Sequence, residues 1–88
     1  MRERLLFTAD AVSEVPEVTG AYILFRGAHP IYAGIAAGAA TLRSELRAHL
    51  RGAETTHFSW QAAADALDAY RLQLAAYADW ESAWMRPA

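Results

Sequence analysis

The chain contains no cysteine and no lysine, and each absence removes a class of protein. Without cysteine there is no disulfide scaffold, no thiolate zinc site and no cysteine nucleophile. No apolar run approaches the ~18 residues of a membrane span, and no basic-then-apolar leader opens the chain. A soluble, cytoplasmic protein without a membrane partner is the expectation. Proline (3) and glycine (5) are scarce, so the chain has few natural breaks. All eight basic residues are arginine, at 2, 4, 26, 43, 47, 51, 71 and 86. Against ten acidic residues they leave a formal charge of -2, which does not advertise a nucleic-acid binder. What is abundant is alanine, 21 of 88 residues. It raises the hydrophobic share to 55% without adding much volume, so the expectation is one globular domain over 1–88 with a thin core.

The few breaks organise the rest. Leu5, Leu6 and Phe7 form an apolar run of ambiguous type, and Thr8 is placed to cap a helical turn from Ala9 to Glu14, ended by Pro16. After Thr19-Gly20, residues 21–26 (AYILFR) are strand formers and continuously apolar until Arg26, as a central strand requires. Gly27 to Pro30 read as a four-residue turn, after which Ile31 to Gly34 resume an extended pattern, giving a β-hairpin. A helix follows from Thr41, a cap, to Gly52, a stop. On it Leu42, Leu46, His49 and Leu50 share one face, Arg43, Arg47 and Arg51 another, and Glu45 borders the apolar face one turn before His49. Residues 55–61 alternate as a third strand, with Phe58 and Trp60 on one side. From about Ala62 to Trp84 a second long helix is expected, with Leu67, Tyr70, Leu74 and Tyr77 as its buried stripe. The resulting fold class is α+β, a small mostly antiparallel three-stranded sheet in the order β-hairpin, helix, strand, helix.

With these elements in place, residues 16–34 (PEVTGAYILFRGAHPIYAG) resemble the GIY-YIG nuclease signature. The likeness continues through TLRSELRAHLRG (41–52), THFSW (56–60) and LDAYRLQLAAY (67–77), covering roughly 16–77. The family implies metal-dependent endonucleolytic cleavage of DNA phosphodiesters. Its second tyrosine acts on the attacking water, an arginine on the first helix stabilises phosphate charge, and a glutamate on the later helix holds a divalent metal. A phenol near pKa 10 needs such cationic help to accept a proton at neutrality.

Position by position, the resemblance assigns Tyr22 and Tyr32 to the two signature tyrosines, Gly34 to the closing glycine and His49 to the helix histidine. These make Tyr22, Tyr32 and His49 the candidate catalytic residues, and Gly34, Arg43, Arg47 and Arg51 the candidate substrate-binding ones. The ionic positions do not carry over. Ile35 stands where a basic residue is common, Glu45 where the arginine is expected, and Tyr70 where the metal-binding glutamate belongs. An arginine about 4 Å from a phosphate contributes on the order of 1–4 kcal/mol, and Glu45 reverses that sign. Asp65 and Asp68 point about 140–160° from Tyr70 on a helix and do not replace it.

The expectation is a degenerate nuclease-family domain with hydrolysis absent or very weak. No cofactor is expected, with Mg or Mn only if activity is retained, and DNA is at most a weak partner. Two alternatives stand beside it. One is an active divergent endonuclease using Tyr32 as base. The other is a non-catalytic interaction module, contacting nucleic acid through the arginines or a protein partner or second copy through Trp80, Trp84 and Met85. His29, His49 and His57 with Glu45 lack metal-ligand spacing.

Overall fold

The apolar stretch after Gly20 becomes the centre of a sheet with helices on both faces. In the computed structural model, which describes residues 4–52 and 54–85 (the last six through the helical backbone), seven elements follow one another. They are β1 (Leu5–Leu6), α1 (Ala9–Ser13), β2 (Gly20–Arg26), β3 (His29–Ala36), α2 (Leu42–His49), β4 (His57–Ala62) and α3 (Ala66–Met85). The fold is α+β as expected, but the sheet has four strands rather than three, in the antiparallel order β1-β4-β2-β3. The additional strand is Leu5–Leu6, paired with Phe58 and His57. Two residues are too few to show a strand's period of two, so the run carries no readable signature alone.

Local chemistry sets the boundaries. Thr8 accepts from the Ala11 amide and starts α1. Thr41 and Ser44 exchange side-chain and backbone bonds in a capping box at the start of α2. The hairpin turn is tighter than the sequence suggests, because Arg26 pairs with His29 and only Gly27 and Ala28 lie between them. Gly27 has φ +58°, as the first central position of a type II′ turn requires. Pro30 therefore sits inside β3, at a register shift between Leu24 and Phe25 that leaves Ile31 unpaired. A bulge on an edge strand tolerates the missing N–H. β4 runs on to Ala62, so α3 starts four residues later than expected, where Asp65 accepts from the Asp68 amide and Asp68 from the Ala64 amide.

The continuous apolar character of β2 is explained by burial on both faces. Tyr22 and Leu24 face α1 and α2, in a core with Val12, Val15, Ala36, Leu42, Leu46 and Phe58. Burying large side chains such as Leu42, Leu46 and Phe58, each 0% exposed, stabilises the fold by roughly 1.5–3 kcal/mol apiece. Ile23 and Ala33 face α3.

The long helix corrects the predicted buried stripe. Leu67, Tyr70, Leu74 and Tyr77 are exposed at 58, 48, 49 and 39%. The residues against the sheet are instead Ala69 and Ala76. At 100° per residue these lie about 140–180° from Leu67 and Leu74. Gln73 Nε2 and the Tyr77 hydroxyl both donate to the Ala33 carbonyl, at 2.9 and 3.2 Å, which holds the helix in this rotation. Small side chains let α3 lie close to β2 and β3, whereas the large ones would hold it off. The side chains of Trp80, Trp84 and Met85, a candidate partner surface by sequence, lie outside the described residues. No helix among the described residues is long and apolar enough to cross a membrane.

Candidate functional site

The hairpin register places Tyr22 opposite Gly34 and Leu24 opposite Tyr32, so both tyrosines emerge on the α2 side of the sheet. α2 brings His49 to the same point. The Tyr22 hydroxyl and His49 Nε2 are hydrogen-bonded at 2.9 Å. The Tyr22 ring centroid is 6.1 Å from that of Tyr32 and 5.6 Å from that of His49, and Tyr32 and His49 are 5.1 Å apart. Three sequence-predicted catalytic residues, from two strands and a helix, thus form one cluster.

Gly34 belongs to this cluster for a steric reason. A Cβ on it would overlap Cζ and the hydroxyl oxygen of Tyr22 and lie 2.9 Å from Cε1. The missing side chain is the space the phenol occupies. The role predicted for Gly34 was contact with substrate, and the structure shows it in contact with Tyr22.

The electrostatics separate the two phenols. Tyr22 is 1% exposed and Tyr32 45%. Burial, then the neighbouring Tyr32 phenol and the Glu45 carboxylate, push the Tyr22 phenol well above its ordinary value of 10. Tyr22 stays neutral throughout the physiological range, and its buried hydroxyl is engaged by His49. Tyr32 is the phenol that a ligand can reach. Glu45, which sequence reasoning put at the expected arginine position, is the carboxylate beside Tyr22.

The predicted arginines do not join the cluster. Arg43 donates to the Val15 carbonyl at 2.8 Å and pairs with Glu17 at 3.0 Å, tying α2 to the segment before β2. Arg47 and Arg51 line an open depression of about 480 Å³ with Ser44 and Ala48. Arg47 lies about 160–200° around α2 from Glu45 and His49, so this depression opens on a different flank. The other described arginines are also elsewhere. Arg4 lies over the Phe25 ring, Arg26 pairs with Glu54, and Arg71 is exposed on α3. Among the described residues none of these arginine contacts is with either tyrosine.

Of the three substituted ionic positions, the structure brings only Glu45 to the tyrosines. Ile35 pairs with Ala21 and falls on the α3 side, and Tyr70 is half exposed on α3 itself. A metal centre built from the later helix does not fit these residues. Asp65, just before α3, and Asp68 in its first turn are engaged in starting the helix. Among the described residues no group of three or more His, Asp or Glu side chains is positioned to hold a metal ion.

Two roles were missed in the sequence. The fit of Gly34 to Tyr22 becomes visible once the hairpin register is counted from a two-residue turn. The anchoring by Arg43 has no local signal, because Val15 and Glu17 lie 28 and 26 residues away. Comparison with protein-family models, with curated proteins and with solved structures gives no match.

Proposed function

We propose that this chain is a GIY-YIG-type nuclease domain whose electrostatic machinery is dismantled, leaving DNA hydrolysis absent or very weak. The observation that carries the reading is the convergence of Tyr22, Tyr32 and His49 on one side of the sheet, with Gly34 fitted to the phenol. These are the positions the resemblance selects, and they come from three separate elements. Sequence neighbourhood alone would not gather them.

The loss of activity follows from charge. Cleaving a phosphodiester builds negative charge on the phosphate oxygens, which an enzyme offsets with preorganised cations. Here the cluster carries a carboxylate, Glu45, and a phenol held neutral. Tyr32 and the part-buried His49 retain hydrogen-bonding groups that can orient a phosphate, but Glu45 repels it.

Nicking of supercoiled plasmid in Mg²⁺ or Mn²⁺ tests this. The parent chain and Tyr32→Phe are expected to show the same background. Metal-dependent nicking that vanishes in Tyr32→Phe and in Glu45→Gln would replace the proposal with an active endonuclease that uses Tyr32 as base. The charge argument has its own test in Glu45→Arg. Each unit charge near a phosphate is worth about 1 kcal/mol in a water-like environment, and the change reverses two units. Salt-dependent binding to a labelled duplex is expected to strengthen by roughly tenfold or more. Unchanged affinity would remove nucleic acid from this face.

A further inference from the structure

Arg43 is drawn inward to Val15 and Glu17, but the two arginines that follow it at intervals of four stay in solvent. Among the described residues neither Arg47 nor Arg51 enters an ion pair, since the pairs there are Arg26–Glu54 and Arg43–Glu17. Like charges one helical turn apart repel, and a nearby carboxylate ordinarily offsets this. Here the neighbouring carboxylates are engaged elsewhere. Glu45, the one acidic residue of α2, sits beside Tyr22, and Glu54 is held by Arg26. The helix dipole favours cations near the end of α2, but it does not account for the depression of about 480 Å³ that they line with Ser44 and Ala48. The Ser44 hydroxyl is bonded to Thr41 in the capping box, and Ala48 contributes only a methyl. The two guanidinium groups are therefore the charged lining of this depression.

We propose that Arg47 and Arg51 hold the diphosphate group of a small ligand. Residues four apart on a helix have Cβ atoms about 5–6 Å apart, so both side chains reach one pair of linked phosphoryl groups. Each guanidinium presents a planar fork that makes two parallel bonds to phosphate oxygens. The volume falls within the ~300–1,000 Å³ of small-ligand sites. A polynucleotide fits less well. Tracking its backbone takes a run of cations, and the arginine row is broken where Arg43 turns to Val15 and Glu17. The chain as a whole, at a formal charge of -2, also repels a long polyanion. Both arginines are exposed, so binding is weak and salt-sensitive, with a Kd of about 0.1–1 mM at low salt. The depression opens on a different flank of α2 from the tyrosines, and the proposal does not depend on the nuclease reading.

Titration of the intact chain with inorganic pyrophosphate, followed through its backbone amide signals by NMR at about 20 mM salt, tests the proposal. Saturating shifts are expected for residues 44–51, with inorganic phosphate binding at least about fivefold more weakly. Arg47→Ala and Arg51→Ala are each expected to weaken pyrophosphate binding at least about fivefold. Their side chains lie in solvent, so the urea midpoint is expected to stay near that of the parent. Arg71→Ala removes the same charge from the exposed surface of α3 and is expected to leave the affinity within about twofold. The absence of saturating shifts up to about 10 mM pyrophosphate overturns the proposal. So does equal weakening in all three variants, since the effect would then be one of net charge. Shifts centred outside 44–51 would place the anion elsewhere and overturn it too. A labelled duplex that binds more tightly than pyrophosphate and is lost in Arg47→Ala would assign the depression to nucleic acid instead.

Discussion

Replacing Gly34 by alanine sets two effects of opposite sign against each other. Gly34 is not among the glycines with positive φ, so its backbone suits an alanine. On that ground alone Gly34→Ala stabilises by about 0.4–1 kcal/mol, because the unfolded chain loses freedom. The folded state opposes this. The new methyl would overlap the Tyr22 phenol, and the ring cannot swing aside because Tyr22 is 1% exposed within the Leu42–Leu46–Phe58 core. Overpacking of this kind costs about 1–3 kcal/mol, and displacing the hydroxyl from His49 adds about 0.5–1.5. The net expectation is a loss of about 1–3 kcal/mol, a large share of the roughly 4–13 kcal/mol usual for this chain length. Urea unfolding followed by tryptophan fluorescence reads it as a lower midpoint at unchanged slope. The same substitution in a Tyr22→Leu background removes the overlapping atoms and is expected to be neutral or mildly stabilising. Equal stability of Gly34→Ala and its parent, or an equal cost in both backgrounds, would refute the steric account.

Two further predictions concern neighbouring groups. Tyr22→Phe is expected to lower stability at pH 7 by about 0.5–1.5 kcal/mol through the lost His49 bond. The raised Tyr22 phenol also gives a pH signature. Its contribution is fully present below the ordinary value of 10 and is lost as pH rises through the higher folded value. Urea midpoints of the parent should therefore fall above about pH 10, at up to ~1.4 kcal/mol per pH unit, and Tyr22→Phe should fall less steeply. Parallel curves would show that this phenol is not held neutral by the fold. Arg43→Ala is expected to cost about 1–2 kcal/mol by releasing Val15 and Glu17, while Arg47→Ala and Arg51→Ala stay within about 0.5. Similar urea midpoints for all three would contradict the anchoring role of Arg43.

Much of this protein is written locally. The strand of residues 21–26, the caps at Thr8 and Thr41 and the Phe58–Trp60 alternation depend on neighbours within four residues, and sequence reading recovers them with small boundary errors. The hairpin is also legible, though the sequence suggests a four-residue turn where the structure has two residues. That difference matters, because the register follows from the turn and decides which side chain meets Gly34.

Other features depend on contacts that no local pattern encodes. Periodicity showed that α3 has an apolar stripe and an alanine stripe but not which one docks. The sheet chose the alanines, since close approach and the Ala33 carbonyl bonds outweigh the burial of Leu67 and Leu74. Leu5–Leu6 became a strand only because β4 offered an unpaired edge. Of the arginine row, the tertiary structure assigned Arg43 to a structural tie and put Arg47 and Arg51 on a separate flank of α2. The residue types were thus set by the chain. Which of them meet was decided by strand register and helix rotation, because both are fixed by packing between segments tens of residues apart.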